Sequence, residues 1–345
     1  MSKLLIINYS MNEENPIFGH QIDNVKVLCE YFSEVLVLTG ESKYGVPADN
    51  CKVVSYEWIA GERAKSTLRF LRIFIGVIFN FKPNLVFSHM TEVQSALIAP
   101  LLRITPIRHY LWYAHKSKSI YLRWCNFWIN GIITSTDGSC PIRSKKVFVV
   151  GQAIDPKLFP FAKRDFSKKN RVIHTGRLDP SKNIELIISV FNECFKKDKE
   201  ATLTFVGEPS TSAAFLYIKN LRNRFANEIE DGRLIFLGNF PRTKLFNLLN
   251  KSDVFLHGFQ GSLDKTVVEA TLMGLPVITL NQEYLRQFGR WSLDDSKSIN
   301  LRDELLAYLN LEPADIELIC EEKRRIALAK HSLQNWGKRV FEVLQ

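Results

Sequence analysis

The sequence lacks the short motifs that would place it directly in several large protein classes. Its six cysteines are scattered, with neither a CxxC pair nor a zinc-ligand spacing, so they indicate no metal centre. No G-x-G-x-x-G follows the first strand-like segment of either half, which argues against a nicotinamide or flavin dehydrogenase. A D-x-D pair, internal repeats and low-complexity tracts are also absent from the sequence.

Long apolar runs are lacking too. The longest, 70–81, contains Arg72 and Asn80 and is too short to cross a bilayer. The apolar run at 4–7 is too short for a signal peptide and is typical of a first strand. Scattered cysteines in a chain of this size indicate reduced thiols. We therefore expect a cytoplasmic protein that is soluble or peripheral on the inner face of the cell membrane.

What is present is a globular chain with excess positive charge. Its 345 residues suit two domains, and the net charge of +10 requires an anionic partner. Signatures of nucleic-acid binding are missing, so phosphorylated substrates and an anionic membrane surface remain. Two segments mix cations with bulky apolar residues, as at a leaflet surface or on a core-facing helix with a solvated face. They are Arg63, Lys65, Arg69 and Arg72 beside Phe70 and Phe74, and Arg108, Lys116, Lys118 and Arg123 among Tyr110, Trp112, Tyr113, Tyr121 and Trp124.

Strand-like and helix-like segments alternate along the chain, which predicts a parallel α/β architecture. Seven candidate strands precede residue 151 and five follow residue 170. The polar segment 151–170, with Pro156 and Pro160, is interpreted as a linker between two Rossmann-like domains, 1–150 and 171–331. The segment 332–345 has an apolar stripe at helical spacing and is predicted to be a final helix.

The stretch 263–278 carries the strongest functional signal. A polar loop leads into a short apolar helix that ends at Gly274, and Pro276 precedes a β-branched strand. Helix N-termini bind phosphate through unpaired N–H groups, here those of Lys265, Thr266 and Val267. The carboxylate of Glu269, one turn further along, is suited to accept hydrogen bonds from sugar hydroxyls. Phosphate beside ribose indicates a nucleotide.

A second stretch, 171–183, reads as a strand, a tight turn and a helix start. Gly176 permits a sharp turn, and Arg177 and Lys182 place two cations on one loop, as a diphosphate requires. Either cation alone would be interpreted as an ordinary solvated loop charge. Together with the later helix and its acid, they favour a binding site.

These stretches resemble the retaining, nucleotide-sugar-dependent glycosyltransferases of family 4, the group 1 type. Residues 176–183 resemble its G-R-L-x(3)-K-[GN] signature, and 269–276 match its E-A-x(3)-G-x-P block. Residues 206–208 and 234–238 resemble two further strand ends, although Pro209 replaces a family glycine. The family usually has a glutamate eight residues before Glu269, where this chain has Gly261.

The resemblance implies the GT-B fold, with two Rossmann-like domains facing a cleft and a last helix that crosses back to the N-terminal domain. It implies retaining transfer of a sugar from a nucleotide-diphosphate sugar to a surface-polysaccharide, lipopolysaccharide or other lipid-linked acceptor bound by the N-terminal domain. The site it implies, with no metal and no cofactor, comprises Arg177, Lys182 and His115 in catalysis and Gly176, Gly19, Asp264, Lys265, Thr266, Val267 and Glu269 in donor binding.

Individual roles follow from the chemistry and the resemblance. Arg177 and Lys182 would stabilise the charge of the leaving diphosphate, as fixed cations do at low reorganisation cost. Glu269 would hold the ribose, and Asp264 would replace the absent glutamate near the sugar. His115 would approach the donor sugar, whereas His89 is more simply interpreted as closing a strand end.

Two other function classes remain open. A nucleotide-sugar 2-epimerase of the same fold also uses a basic diphosphate clamp, but it needs further acids on the N-terminal domain. The acids available there, Glu13, Glu14, Asp23 and Glu92, are poorly placed by sequence position. A noncatalytic nucleotide-sugar-binding protein is the third class, and Gly261 in place of a family glutamate supports it.

Overall fold

The computed structural model describes residues 2–15, 18–43, 45, 47–59, 61–240, 242–292 and 299–345, without the side chains of Arg242 and Thr243. The chain forms two compact units. Met1–Ala153 and Ser332–Gln345 make the first, and Ile154–His331 makes the second. Each unit is built on one parallel β-sheet with helices, which confirms the predicted α/β class.

The first unit contains a seven-stranded sheet in the order β3-β2-β1-β4-β5-β6-β7. In β1, Leu4 to Ile7 are at most 1% exposed, because helices cover both faces of the sheet. This explains why the strand reads as a continuous apolar run. The strands are β1 Lys3–Met11, β2 Glu34–Ser42, β3 Cys51–Ser55, β4 Leu85–His89, β5 Arg108–Trp112, β6 Gly131–Thr134 and β7 Val147–Val149, with helices α1 Gln21–Cys29, α2 Arg63–Phe81, α3 Glu92–Arg103 and α4 Ile120–Trp128.

The second unit contains a five-stranded parallel sheet in the order β10-β9-β8-β11-β12. Its strands are β8 Arg171–Thr175, β9 Thr202–Val206, β10 Leu234–Phe236, β11 Val254–His257 and β12 Val277–Thr279. Its helices are α5 Ile184–Cys194, α6 Ser212–Arg224, α7 Ala226–Glu230, α8 Arg242–Asn250, α9 Lys265–Leu272, α10 Gln282–Phe288, α11 Leu301–Leu309 and α12 Pro313–His331.

Two helical regions differ from what the sequence pattern predicts. The pattern of residues 211–227 predicts a single helix, but the structure interrupts it at Phe225, which lies between α6 and α7. The sequence reading also missed α10, whose seven residues are too few to show a clear helical period. Its start is nevertheless marked by Asn281, whose side chain accepts from the backbone N–H of Tyr284.

The last helix, α13 (Leu333–Leu344), packs in the first unit against α1. Trp336, Val340 and Leu344 form its apolar stripe and are fully buried there. A Cβ on Gly337 would lie only 2.9 Å from a methyl carbon of Val27, so the missing side chain allows the two helices to approach closely.

Helices α2, α3 and α4 lie on one face of the first sheet, because their three crossovers run in the same direction across it and such connections are right-handed. On the inner side of α2, Phe70 and Phe74 are buried in the core. Tyr110, Trp112 and Tyr113, in and just after β5, are also buried. The interpretation of these five rings as part of a surface is therefore wrong. The described helices include none with the length and apolar character needed to span a membrane.

Candidate active site

The loops that follow β8 and β9 pack directly on each other in the second unit. Gly176 and Gly207 follow these strands with φ of +128° and +135°. A Cβ on Gly207 would lie 1.9 Å from the carbonyl oxygen of Gly176, which a side chain could not tolerate. The N–H of Gly176 donates to the carbonyl of Val206 at 2.9 Å. The glycine turn predicted at residue 176 is therefore held against the neighbouring strand end.

Lys182 ends a 3₁₀ turn, Pro180–Lys182, that follows the Gly176 loop. The next residue, Asn183, adopts the left-handed conformation (φ 53°, ψ 44°) that Gly and Asn tolerate best. Its side-chain amide donates to the carbonyl of Gly258 at 2.8 Å. A Cβ on Gly258 would lie 2.6 Å from the Lys182 carbonyl oxygen. The backbone of Lys182 is thus fixed against the end of β11.

The Lys182 side chain is almost fully buried, with 8% of it exposed. Its ammonium forms an ion pair with Asp264 and lies 3.9 Å from the ring centroid of Phe259. A buried lysine needs such partners, because an ammonium without them would lose its hydration uncompensated. The sequence prediction placed Lys182 and Asp264 in one site, and the structure brings their side chains together.

Asp264 is the N-cap of α9. Its Oδ1 lies 3.5 Å from the N–H of Thr266, and its Oδ2 lies 3.3 Å from Nε2 of His257. Burial alone would raise the pKa of Asp264, but the Lys182 ammonium and the His257 hydrogen bond outweigh it and hold this pKa well below its usual range. Burial lowers the pKa of His257. The pair is therefore a carboxylate beside a neutral imidazole.

Arg177 lies on the same loop as Gly176, and its side chain is 55% exposed. Its guanidinium is 3.3 Å from Oδ2 of Asp179. Asp179 in turn accepts hydrogen bonds from the backbone N–H and the hydroxyl of Ser210, at 3.0 and 2.9 Å. Both predicted cations are thus held by internal carboxylates. Lys182 is enclosed, whereas Arg177 reaches solvent.

The N-terminus of α9 lies beside the Gly176 loop. A Cβ on Gly176 would be 3.8 Å from the methyl carbon of Thr266. Val267 packs into the core, so only its backbone is available to a ligand, while Lys265 and Thr266 are half-buried. Glu269 is 6% exposed on the next turn. The structure therefore brings Gly176, Lys182, Asp264 and the start of α9 together, with Glu269 behind them.

Phe259 and Asn281 explain the loop that contains Gly261. A Cβ on Gly261 would lie 2.0 Å from the edge of the Phe259 ring, so any side chain at 261 requires this ring to move. The buried side-chain amide of Asn281 lies 3.2, 3.3 and 3.0 Å from the carbonyl oxygens of Phe259, Gly261 and Ser262. Glycine at 261 therefore has a local steric cause.

Gly19, His89 and His115 belong to the first unit. A Cβ on Gly19 would lie 2.7 Å from the carbonyl oxygen of Glu13, so the loop after β1 folds tightly on itself. His115 is exposed and contacts the Tyr113 ring edge-on. His89 is buried against the Phe87, Trp112 and Trp336 rings. In the described part of the chain, no group of three or more His, Cys, Asp or Glu residues could hold a metal ion.

Sequence reasoning missed several residues that shape this site. His257 ends β11, Thr279 ends β12, and Asn281 follows two residues later. A signal was available, since polar residues at the carboxyl ends of parallel strands meet at one edge of the sheet, where such folds bind ligands. Phe259 had no comparable signal, because an aromatic ring near a strand end most often belongs to the core.

The segment that carries these residues resembles a known family. A family model described as "Glycosyl transferases group 1" matches residues 169–290, about a third of the chain, and these residues include every site residue of the second unit. No curated protein sequence gives a significant match.

Solved structures match nearly the whole chain. HepE from Anabaena in complex with UDP-glucose has a TM-score of 0.74 at 16% identity, over 100% of this chain and 99% of that one. Sucrose-phosphate synthase from Thermosynechococcus elongatus has a TM-score of 0.72 at 13% identity, over 99% and 98%. The lipopolysaccharide outer core galactosyltransferase WaaB has a TM-score of 0.65 at 11% identity, over 99% and 98%. The fold is therefore that of the GT-B glycosyltransferases, with two Rossmann-like domains.

Proposed function

We propose that this protein is a retaining glycosyltransferase that moves a sugar from a nucleotide-diphosphate sugar to a surface-polysaccharide or lipid-linked saccharide acceptor. One observation carries the proposal. Within the segment that matches the group 1 model, Lys182 and the N-terminus of α9 meet beside the glycine loop that bears Arg177, and buried Glu269 lies one turn behind. That arrangement suits a diphosphate next to a ribose.

The proposed reaction breaks the bond between the anomeric carbon and the diphosphate oxygen and forms one to an acceptor hydroxyl oxygen. Negative charge grows on the departing diphosphate. The Arg177 guanidinium, the Lys182 ammonium and the first amides of α9 would stabilise this charge without reorganising. The proton of the acceptor hydroxyl would pass to the departing phosphate. Glu269 would accept hydrogen bonds from the ribose hydroxyls and orient the nucleotide.

These groups would do the work that a divalent cation does in other transferases, so we propose a metal-free reaction. Incubation with a panel of UDP-, GDP-, ADP- and dTDP-sugars, with and without EDTA, tests both the use of a nucleotide sugar and the independence of a metal ion. UDP-glucose comes first, because it is the ligand of the HepE structure. We expect nucleotide release that EDTA leaves unchanged and that removal of Arg177 and Lys182 abolishes. Epimer formation, binding without turnover, or rescue of EDTA-treated protein by Mn²⁺ would each contradict the proposal.

We further propose that the first unit binds an anionic membrane surface, where lipid-linked acceptors reside. Residues 63–136 contain ten Lys and Arg and a single acid, Glu92. The net charge of this segment is +9, whereas that of the whole chain is +10. It spans α2, α3 and α4, which share one face of the sheet. Six of the ten cations lie on this helical layer, with Lys65 and Arg69 paired to Glu62 and Glu57 just outside the segment. The six are Arg63, Lys65, Arg69 and Arg72 on α2, Arg103 on α3 and Arg123 on α4.

The outer side of this layer is also unusually apolar. Along α2 the exposed stripe has helical spacing and includes Leu68, Arg72, Ile75 and Phe79. It is continued by Leu97 and Leu101 on α3 with Ile104 just after it, and by Ile120, Tyr121, Trp124 and Phe127 on α4. Solvated helices normally present polar residues outward. Exposed aromatic and aliphatic residues among cations are typical of a surface that inserts into a leaflet.

Vesicle cosedimentation tests the proposed membrane binding. Binding to phosphatidylglycerol vesicles should fall steeply with salt, and neutral phosphatidylcholine vesicles should not bind. Reversal of Arg72 and Arg123 to Glu should weaken binding at least about thirtyfold, since each cation near the surface contributes about 1 kcal/mol and 1.4 kcal/mol corresponds to a factor of ten. The control changes Phe215 to Ser and Lys219 to Glu on α6 of the second unit, where both residues are exposed. Equal losses in both variants, or binding that ignores lipid charge, would refute the membrane surface.

A further inference from the structure

We propose that Asp264, His257 and Thr279 are a chain of positioning residues that holds the Lys182 ammonium against the Phe259 ring. In this view Asp264 acts on the donor through Lys182 and does not touch the sugar. The inference rests on the proposed function and deepens it, because it assigns three residues behind the diphosphate-binding lysine.

The hydrogen bonds that link Asp264, His257 and Thr279 have only one consistent direction. The Asp264 carboxylate can only accept, so Nε2 of neutral His257 carries the hydrogen that points to it. Nδ1 of His257 is then an acceptor, and the Thr279 hydroxyl, 2.9 Å away, donates to it. The oxygen of Thr279 in turn accepts from the N–H of Asn281 at 3.0 Å. The Asp264 carboxylate thus selects the tautomer of His257, and the Thr279 hydroxyl supports it from the β12 side.

Burial makes this arrangement rigid. His257 is 0% exposed and Thr279 is 1% exposed, and the His257 ring stacks on His174 with centroids 5.9 Å apart. His257 and Thr279 lie on the neighbouring strands β11 and β12, which pair in register and place the two residues opposite each other. Side chains held by a sheet and by packing lose little further entropy when they orient a neighbour.

Both oxygens of the Asp264 carboxylate have partners inside the protein, and 18% of the side chain is exposed. Oδ2 contacts both Lys182 and His257, and Oδ1 faces the N–H of Thr266 at 3.5 Å. A sugar hydroxyl at Oδ2 would have to compete with the bond to an ammonium, and bonds between two charged groups are the stronger ones. The Phe259 ring occupies the other side of the lysine, and Gly261 leaves room for this ring.

A double-mutant cycle tests the role of Asp264. It uses the donor that the wild-type protein turns over and compares Asp264→Asn, Lys182→Met and the double variant. If Asp264 acts through Lys182, Asp264→Asn should lower kcat/KM at least tenfold in the wild-type background and less than twofold in the Lys182→Met background. Equal losses in both backgrounds would show an independent contact and overturn the inference.

Thr279, the residue of this group farthest from Lys182, allows a matched comparison. Thr279→Val and Thr271→Val each remove a buried threonine hydroxyl from the second unit. The Thr271 hydroxyl bonds to Val267 and Tyr284 and takes no part in the hydrogen bonds that link Asp264, His257 and Thr279. We expect similar Tm losses, but a three- to tenfold lower kcat for Thr279→Val alone. His257→Gln, which keeps an N–H near the Nε2 position, should retain most of the kcat that His257→Leu loses.

The outcomes separate the inference from the proposed function. A wild-type protein that neither binds nor turns over any nucleotide sugar refutes the proposed function. If the wild-type protein is active, two results would refute only the positioning role of these residues. One is a kcat of Thr279→Val equal to that of Thr271→Val, and the other is a kcat of His257→Gln as low as that of His257→Leu.

Discussion

At the residue scale, steric exclusion shapes two loops of the candidate site. Gly207 and Gly261 each face an atom that leaves no space for a Cβ, a backbone carbonyl in the first case and an aromatic ring in the second. A carbonyl cannot swing away, whereas a ring can. Substitutions at the two positions should therefore differ in severity.

Gly207→Ala should destabilise the second unit strongly. The added Cβ would meet the Gly176 carbonyl at 1.9 Å, and its φ of +135° is already strained for any side chain, which by itself costs about 1–3 kcal/mol. Gly232→Ala is the control, since its φ is +74° and its Cβ would meet nothing within 4 Å. Thermal unfolding compares them. A loss for Gly207→Ala no larger than that for Gly232→Ala would contradict this account.

Glu269→Gln should weaken nucleotide binding and leave the fold intact. The change exchanges a charged acceptor for a neutral one, and a hydrogen bond to a charged group is worth about 1.5–3 kcal/mol. Calorimetry with the nucleotide released by the wild-type protein measures the effect. Glu283→Gln is the control, because Glu283 is buried to a similar degree but lies on α10 and pairs with Arg286. Unchanged affinity in Glu269→Gln would refute the ribose assignment.

At the element scale, the last helix completes the first unit. The α13 stripe is buried against α1, and Trp336 also contacts the His89 and Trp112 rings. The sequence predicts the stripe by its spacing, but the partner of the stripe lies some three hundred residues away in the chain. A segment so remote in sequence thus contributes directly to the core beside β4 and β5.

Trp336→Ala should therefore destabilise the first unit. Replacement of a fully buried tryptophan leaves a cavity and costs about 3–5 kcal/mol. Limited proteolysis should then cut preferentially within residues 1–153. Trp124→Ala, at a half-exposed position on α4, should cost much less. Preferential cleavage within 154–331 would instead contradict the placement of α13 in the first unit.

At the scale of the whole molecule, each unit contains a histidine buried without charge. His109 in the first unit and His174 in the second are at most 2% exposed, and burial lowers the pKa of each to about 3. In the unfolded chain the pKa of a histidine is about 6.5. Between these values the unfolded state binds the extra proton and the folded state does not.

The free energy of unfolding should therefore fall as the pH falls below about 6.5, by about 1.4 kcal/mol per pH unit for each histidine. Calorimetric Tm values between pH 7.5 and 4.5 measure this slope. His109→Gln and His174→Asn, which cannot titrate, should flatten it, whereas His115→Gln at an exposed position should not. A Tm of the wild-type protein that is constant over this range would disprove the prediction.

The sequence by itself determined the fold class and most elements, because both depend on local periodicity. The described residues contain the seven strands expected before residue 151 and the five expected after residue 170, and α9 follows the polar loop of the stretch 263–278 as predicted. Local chemistry also pointed to Gly176, Lys182 and the start of α9 as one phosphate-binding group, and the family resemblance added Asp264 to it.

Only the tertiary structure decided which charges pair and which rings are exposed. Lys182 and Asp264 are 82 residues apart, and their ion pair depends on β8 and β11 being neighbours in the sheet. Phe70 and Phe79 belong to one amphipathic helix, yet one is buried and the other is 72% exposed, because α2 turns a single side towards the sheet. Helical spacing shows that a helix has two sides. Which side meets the core depends on the layers that pack against it, and those layers are formed by residues far away in the sequence.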